Sequence, residues 1–137
     1  MSVDAVTFAD ITSADWSLKL GAIGEVVQGI DDIDQCIGII LTTPQGSDPL
    51  RPTFGADLWQ YIDNPITVAI PSIVREVGAA ISMWEPRVTL TSVSVMQADD
   101  NTSQSGAHLN VAVTWQLKLG AASATTRATV VAIPGGV

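Results

Sequence analysis

Glu85 and Arg87, set on either side of Pro86, are the residues of this chain best placed to do chemistry. A carboxylate so close to a guanidinium allows two kinds. With a second carboxylate as its mate, Asp57 or Asp63, Glu85 would supply the acid of a glycoside hydrolase. That acid must hold its proton in an apolar pocket, whereas a cation two residues away favours a charge-paired carboxylate. Nothing in the spacing of Asp57 or Asp63 demands that either face Glu85. The other use of the pair is directional: an ion pair that fixes a corner of the fold from within, or one that docks a neighbouring protein.

The remaining reactive side chains form no pattern. His108 is the one histidine and Cys36 the one cysteine, so metal binding has no ligand set to draw on and no internal disulfide can form. Cys36 lies on an apolar helical pattern and is expected to be a small core residue. There is no Gly-x-Ser-x-Gly elbow for a nucleophile, and Gly21 and Gly24 lack the lysine and the spacing of a phosphate loop. No cofactor is expected. Four tryptophans stand at positions 16, 59, 84 and 115. Core packing is the default for them, and Trp59, beside Leu58, is the best candidate for an exposed interface anchor.

Composition narrows the class. At 137 residues and 47% hydrophobic, the chain fits one domain with a real core. Its mean hydropathy of +0.34 is high for a net charge of −8, yet no run approaches the roughly 18 apolar residues of a membrane span. The surplus apolar surface is expected to face other proteins. All 14 acids fall within residues 1–100, while residues 101–137 carry only Lys118 and Arg127. Phosphate binding needs clustered bases, so nucleic acid is not an expected partner, and the asymmetry points to two surfaces with different partners. No basic and apolar leader opens the chain, which makes the cytoplasm the expected place of folding.

The elements that must hold Glu85 and Arg87 follow from periodicity. Residues 1–14 show no period and are read as an arm. Trp16, Leu18 and Leu20 alternate with Ser17 and Lys19 as a half-buried strand, which Gly21 and Gly24 break before Val26 and Val27. Asp31 and Asp32 open a helix whose apolar stripe is Ile33, Ile37, Ile40 and Leu41, and Pro44 closes it. A loop punctuated by Pro44, Gly46, Pro49 and Pro52 leads to a short helix with Leu58, Tyr61 and Ile62 on one side. Asn64 is expected to cap a long helix with Pro65 at its first position, and its stripe is Ile66, Ile70, Ile73, Val77, Ile81 and Trp84. Pro71 either kinks that helix or marks its start.

Beyond the corner, Val88 and Leu90 share one phase and Val93 and Val95 the other, so a bulge or bend near Thr91 and Ser92 would put both pairs on the core face. Strict alternation of Leu109, Val111, Val113, Trp115 and Leu117 then predicts a strand, and residues 109–133 read as a β-hairpin with Arg127 in its second arm. The expected fold is α+β: one domain over residues 1–137, with an antiparallel sheet, a C-terminal hairpin, and two to three helices packed on one face.

Trp84-Glu85-Pro86-Arg87, Ile39-Ile40-Leu41-Thr42-Thr43, Gly46, Leu50-Arg51-Pro52-Thr53-Phe54-Gly55 and Leu58, in that order, make residues 30–95 resemble a known family. It is that of the baseplate wedge and sheath-initiator proteins of contractile phage tails, historically labelled lysozyme-like. Where family members often carry Gly-Glu-Arg after the first helix, this chain has Gly46-Ser47-Asp48. The resemblance implies a structural component of the tail baseplate, without catalysis, assembled in the host cytoplasm and present in several copies. Such a protein links the wedge to the tail tube and starts the sheath by β-strand exchange. The implied partners are the tail sheath protein, other wedge proteins and tube or hub proteins. Glu85, Pro86 and Arg87 would dock a neighbour, and Val111, Val113, Trp115, Leu117 and Arg127 would carry the exchange. Two alternatives stand beside this: a tail-associated peptidoglycan hydrolase, and the same baseplate role in a related bacterial injection or secretion system.

Overall fold

The structure is a computed structural model that describes residues 6–61, 63–97, 108–118 and 126–134. It forms two compact units, Met1–Ile37 and Gly38–Val137.

The first unit is built on a short antiparallel pair, β1 (Trp16–Leu18) and β2 (Val26–Gln28), joined through Gly21 and Gly24, which both hold a φ of +79°. The residues read as an arm are locally ordered from Val6 onward. Val6 accepts a bond from the Val26 N–H, Thr7 bridges Glu25, and Phe8–Asp10 make a 3₁₀ turn. The helix α1 (Ile30–Thr42) begins with Asp31 and Asp32 in its first turn, and within this unit Val26, Ile33 and Ile37 are buried.

Asp32 is buried as well, with Ser17 Oγ donating to its Oδ1 at 2.5 Å. That contact corrects the reading of the first strand. Ser17 turns inward to meet Asp32, so Trp16 and Leu18 stand on the outer face, 43% and 59% exposed, and Leu20 follows them at 67%. Satisfying a buried carboxylate outweighs the alternation of apolar side chains in a strand of three residues. Cys36 is half-buried rather than core, its Sγ 3.9 Å from Asp32 Oδ1.

In the second unit, Ile40 and Leu41 continue the buried stripe of α1. Thr42 and Thr43 fold their hydroxyls back onto the Gly38 and Ile39 carbonyls, adding a second donor to each at the helix end, ahead of Pro44. Leu58 is fully buried at the 3₁₀ turn Trp59–Tyr61, and Ile62 lies outside the described residues.

The long helix α2 (Ile66–Trp84) takes Pro65 as its N-cap, one position later than the Asn64 cap expected. Pro71 lies inside α2, on its exposed side, and does not start it. Its missing N–H withholds a partner from the Thr67 carbonyl near the helix start. The buried row is Ala69, Ile73, Val77, Ala80 and Ile81, whereas Ile66, expected in the stripe, is 42% exposed. Length and composition alone would let α2 cross a membrane. The run is broken by Arg75 and Glu76, and its buried row packs within this chain.

The sheet is three antiparallel strands in the order β3 (Val88–Gln97), β4 (His108–Leu117), β5 (Thr126–Pro134). Of the bulge or bend expected near Thr91 and Ser92, the bulge is present: pairing shifts between Leu90 and Ser92, leaving Thr91 as the extra residue. Packed against α2 through β3, the sheet buries Val88, Leu109, Val111, Val113, Trp115, Thr129 and Val131. Each fully buried aliphatic among these contributes roughly 1.5–3 kcal/mol of transfer free energy. This is the α+β architecture expected. The turn after β4 lies outside the described residues.

Candidate functional site

Glu85 caps the C-terminus of α2, its N–H bonded to the Ile81 carbonyl at 2.9 Å, and Pro86 prevents another turn. Two residues on, Arg87 precedes β3 and its carbonyl accepts the Lys118 N–H at 3.0 Å, tying the corner to the end of β4. Within this frame the two side chains face each other. Arg87 Nε donates to Glu85 Oε1 at 2.6 Å and Nη2 to Oε2 at 2.8 Å, a bidentate pair in which Glu85 is only 2% exposed. Of the two roles open to the pair, the internal one is occupied.

The loop before α2 extends this corner. Trp84 Nε1 donates to the Thr53 carbonyl at 3.2 Å, and the Trp84 ring meets Phe54 edge to face, 5.1 Å between centroids. The Arg51 guanidinium lies 4.0 Å over the Phe54 ring and pairs with Asp48 at 3.0 Å. Gly55 makes the close approach possible. Its φ is +105°, and a Cβ there would sit 2.1 Å from the Thr43 carbonyl oxygen, which already accepts the Ala56 N–H at 3.0 Å.

A hydrolytic role finds no support in this geometry. Both Glu85 oxygens are held by Arg87, away from solvent, Asp57 accepts a bond from Gln60 at 2.8 Å, and Asp63 is exposed. Among the described residues no cluster of three or more His, Cys, Asp or Glu side chains could hold a metal ion. His108 opens β4, its backbone opposite Pro134.

Trp59, expected as an exposed anchor, is half-buried, with its Nε1 enclosed and without a hydrogen-bond partner among the described residues. The strand-exchange residues need a larger correction. Val111, Val113, Trp115 and Leu117 lie on β4, which pairs with β3 on one side and β5 on the other, so its main chain has no edge to offer. The first three are also buried. Of the residues expected to carry the exchange, Arg127 alone stands on an edge strand. β5 is that edge, paired with β4 without interruption over nine residues, Thr126–Pro134. An alternating run reveals a strand with one buried face but says nothing of its place in the order.

The internally paired corner, the three-stranded antiparallel sheet and the long supporting helix define a small α+β protein. The chain belongs to the family of baseplate wedge protein gp25, which matches residues 27–121. It is 40% identical over 78 residues to baseplate protein W of Escherichia phage P2, spanning 56% of this chain and 68% of that protein. To baseplate wedge protein gp25 of Enterobacteria phage T4 it is 31% identical over 74 residues, 53% of this chain and little more than half, 56%, of that relative. Among solved structures it is similar to a protein described as a tail lysozyme from Geobacter sulfurreducens, at a TM-score of 0.64 and 27% identity, covering 78% of this chain and 91% of the other. It is also similar to a chain of the post-contraction pyocin R2 baseplate, at a TM-score of 0.57 and 26% identity over 72% of this chain and 95% of that one.

Proposed function

We propose that this protein is a structural, non-catalytic component of a contractile-tail baseplate that joins the wedge to the tail tube and starts sheath assembly by offering the edge of β5 to a strand of the first sheath subunits. Its partners are the tail sheath protein, other wedge proteins, and tube or hub proteins, in a symmetric assembly of several copies. Membership of the wedge family and similarity to a pyocin baseplate chain support the setting.

The observation that carries the exchange is the state of β5. Among the described residues it pairs on one side only, and Arg127 is its one charge. Protective edges usually carry charges, bulges or mid-strand prolines, and β5 has its proline at the last position. The opposite edge, β3, is interrupted by the Thr91 bulge. A strand added to β5 would gain main-chain hydrogen bonds, with Val130, 65% exposed, beside its side chains.

Val130→Asp tests this, since it places a charge on the edge strand without touching the buried Thr129 and Val131. Baseplates carrying it should assemble and bear no sheath. Full-length sheath on them would remove β5 from the mechanism. A zymogram of the purified protein should show no peptidoglycan clearance, and clearance abolished by Glu85→Gln would establish the hydrolase reading instead.

A further inference from the structure

The first unit carries an exposed apolar surface of its own. Five of the eleven large apolar side chains exposed among the described residues belong to it. Trp16 and Leu18 project from the same side of β1, Leu20 continues their phase, and Phe8 meets the Trp16 ring edge to face at 5.6 Å between centroids.

The main chain beside this face is equally available. Lys19 N–H donates to the Glu25 carbonyl at 3.0 Å, so it points toward β2; by strand alternation the Leu18 carbonyl and Leu20 N–H point away from it. What meets them is one side chain. Gln35 Nε2 donates to the Leu18 carbonyl at 2.8 Å and Gln35 Oε1 accepts the Leu20 N–H at 3.0 Å, so a carboxamide occupies the rung that a neighbouring strand would fill.

Charge selects the occupant. Residues 1–37 hold seven acids and one base, a formal −6, and that base, Lys19, is paired with Glu25 at 2.8 Å. Asp10, Asp15 and Asp31 are exposed around the unit. An apolar face in an acidic field attracts a segment that is apolar on alternate positions and basic between them.

We infer that the outer edge of β1, with Phe8, Trp16 and Leu18, docks an extended, basic and apolar segment of another protein, which replaces the Gln35 carboxamide as the partner of Leu18 and Leu20. The side chain covers the edge until that strand arrives, which keeps the unit from pairing with unrelated strands. Docking at β1 does not depend on the sheath reading.

The test uses the full chain and a fluorescent nine-residue probe peptide of alternating valine and lysine, with a valine and glutamate peptide and a scrambled lysine peptide as controls. Anisotropy should report binding of the alternating lysine peptide alone, weakened about tenfold or more between low and high salt as screening removes the attraction. Leu18→Lys, at an exposed position, should abolish it. Gln35→Ala should tighten it several-fold by vacating the rung, while Val130→Asp should leave it unchanged. Equal binding of the scrambled peptide, no binding by wild type and Gln35→Ala alike, or indifference to Leu18→Lys would each overturn the inference.

Discussion

The Glu85 carboxylate and the Arg87 guanidinium close on each other as a fork across a single proline, Oε1 to Nε at 2.6 Å and Oε2 to Nη2 at 2.8 Å. The geometry works because the helix ends at Glu85 while the strand has not yet begun, so both side chains swing to the same side of the turn. A buried carboxylate without its cation is far costlier than the pair is stabilising. Arg87→Met is therefore expected to cost about 3 kcal/mol, at the low end for a broken buried pair because Arg87 is 32% exposed. Urea unfolding measures it, and Glu85→Leu added to Arg87→Met should recover part of the loss. A charge pair serving only an outside partner would leave the unfolding midpoint of Arg87→Met unchanged.

Gly55 and Gly46 offer a controlled contrast. Both hold positive φ, +105° and +86°, but a Cβ on Gly55 would strike the Thr43 carbonyl whereas one on Gly46 meets nothing within 4 Å. Gly46→Ala should cost about 1–2 kcal/mol from backbone strain alone. Gly55→Ala should cost at least about 3 kcal/mol, because the Thr43 to Ala56 hydrogen bond must move as well. Comparable thermal shifts for the two would contradict the close approach.

Trp115 donates its buried Nε1–H to Thr129 Oγ1 at 2.9 Å, fastening β5 to the central strand through their side chains. Thr129→Val removes the acceptor at constant volume and should cost about 1–3 kcal/mol, the penalty of an orphaned buried donor. Thr129→Ser should retain most of the stability. Amide hydrogen exchange would register the loss first along β5.

Trp59 presents the opposite case, since its enclosed Nε1 has no partner among the described residues. Trp59→Phe discards that donor and keeps an aromatic body, so the melting temperature should hold or rise. A fall in co-purification with wedge proteins at unchanged melting temperature would identify Trp59 as an interface anchor.

Acid should loosen the N-terminal turn. Thr7 donates its hydroxyl and its N–H to Asp10 Oδ2 at 2.8 and 3.2 Å, and these bonds hold the Asp10 carboxyl below its ordinary 3.8. A carboxyl depressed on folding stabilises the folded state above its unfolded value and loses that contribution as pH falls through the folded one. Carbon-detected NMR titration should find the Asp10 midpoint below 3.8 and restored toward it by Thr7→Ala.

Much of the fold was legible because long amphipathic elements announce themselves. The stripes of α1 and of α2 from Ile73 onward, the alternation of β4 and the phase change that pointed to a bulge or bend near Thr91 and Ser92 all rest on many residues acting together. Three-residue β1 has too few positions for a period to carry weight, and one contact, Ser17 with Asp32, decided which side faced in. The candidate corner was visible as residue types. Whether Glu85 and Arg87 turned inward or outward was not, since that depends on the path of the chain around Pro86. Strand order was hidden because local pattern does not encode which strand ends up in the middle, even in a sheet whose three strands lie in sequence order.

The closure at Thr43 and Ala56 gives the loop between them a fixed root. With Gly46 N–H on the Pro52 carbonyl as a second clasp, the tip around Leu50, 92% exposed, hangs from anchors that do not depend on its length. Extending a loop already closed at its base costs only about 0.6 kcal/mol for each doubling. The segment from Ser47 to Leu50 is thus an insertion port: residues could be spliced in, as an epitope tag or a fluorophore attachment site, while α1, α2 and the corner keep their positions.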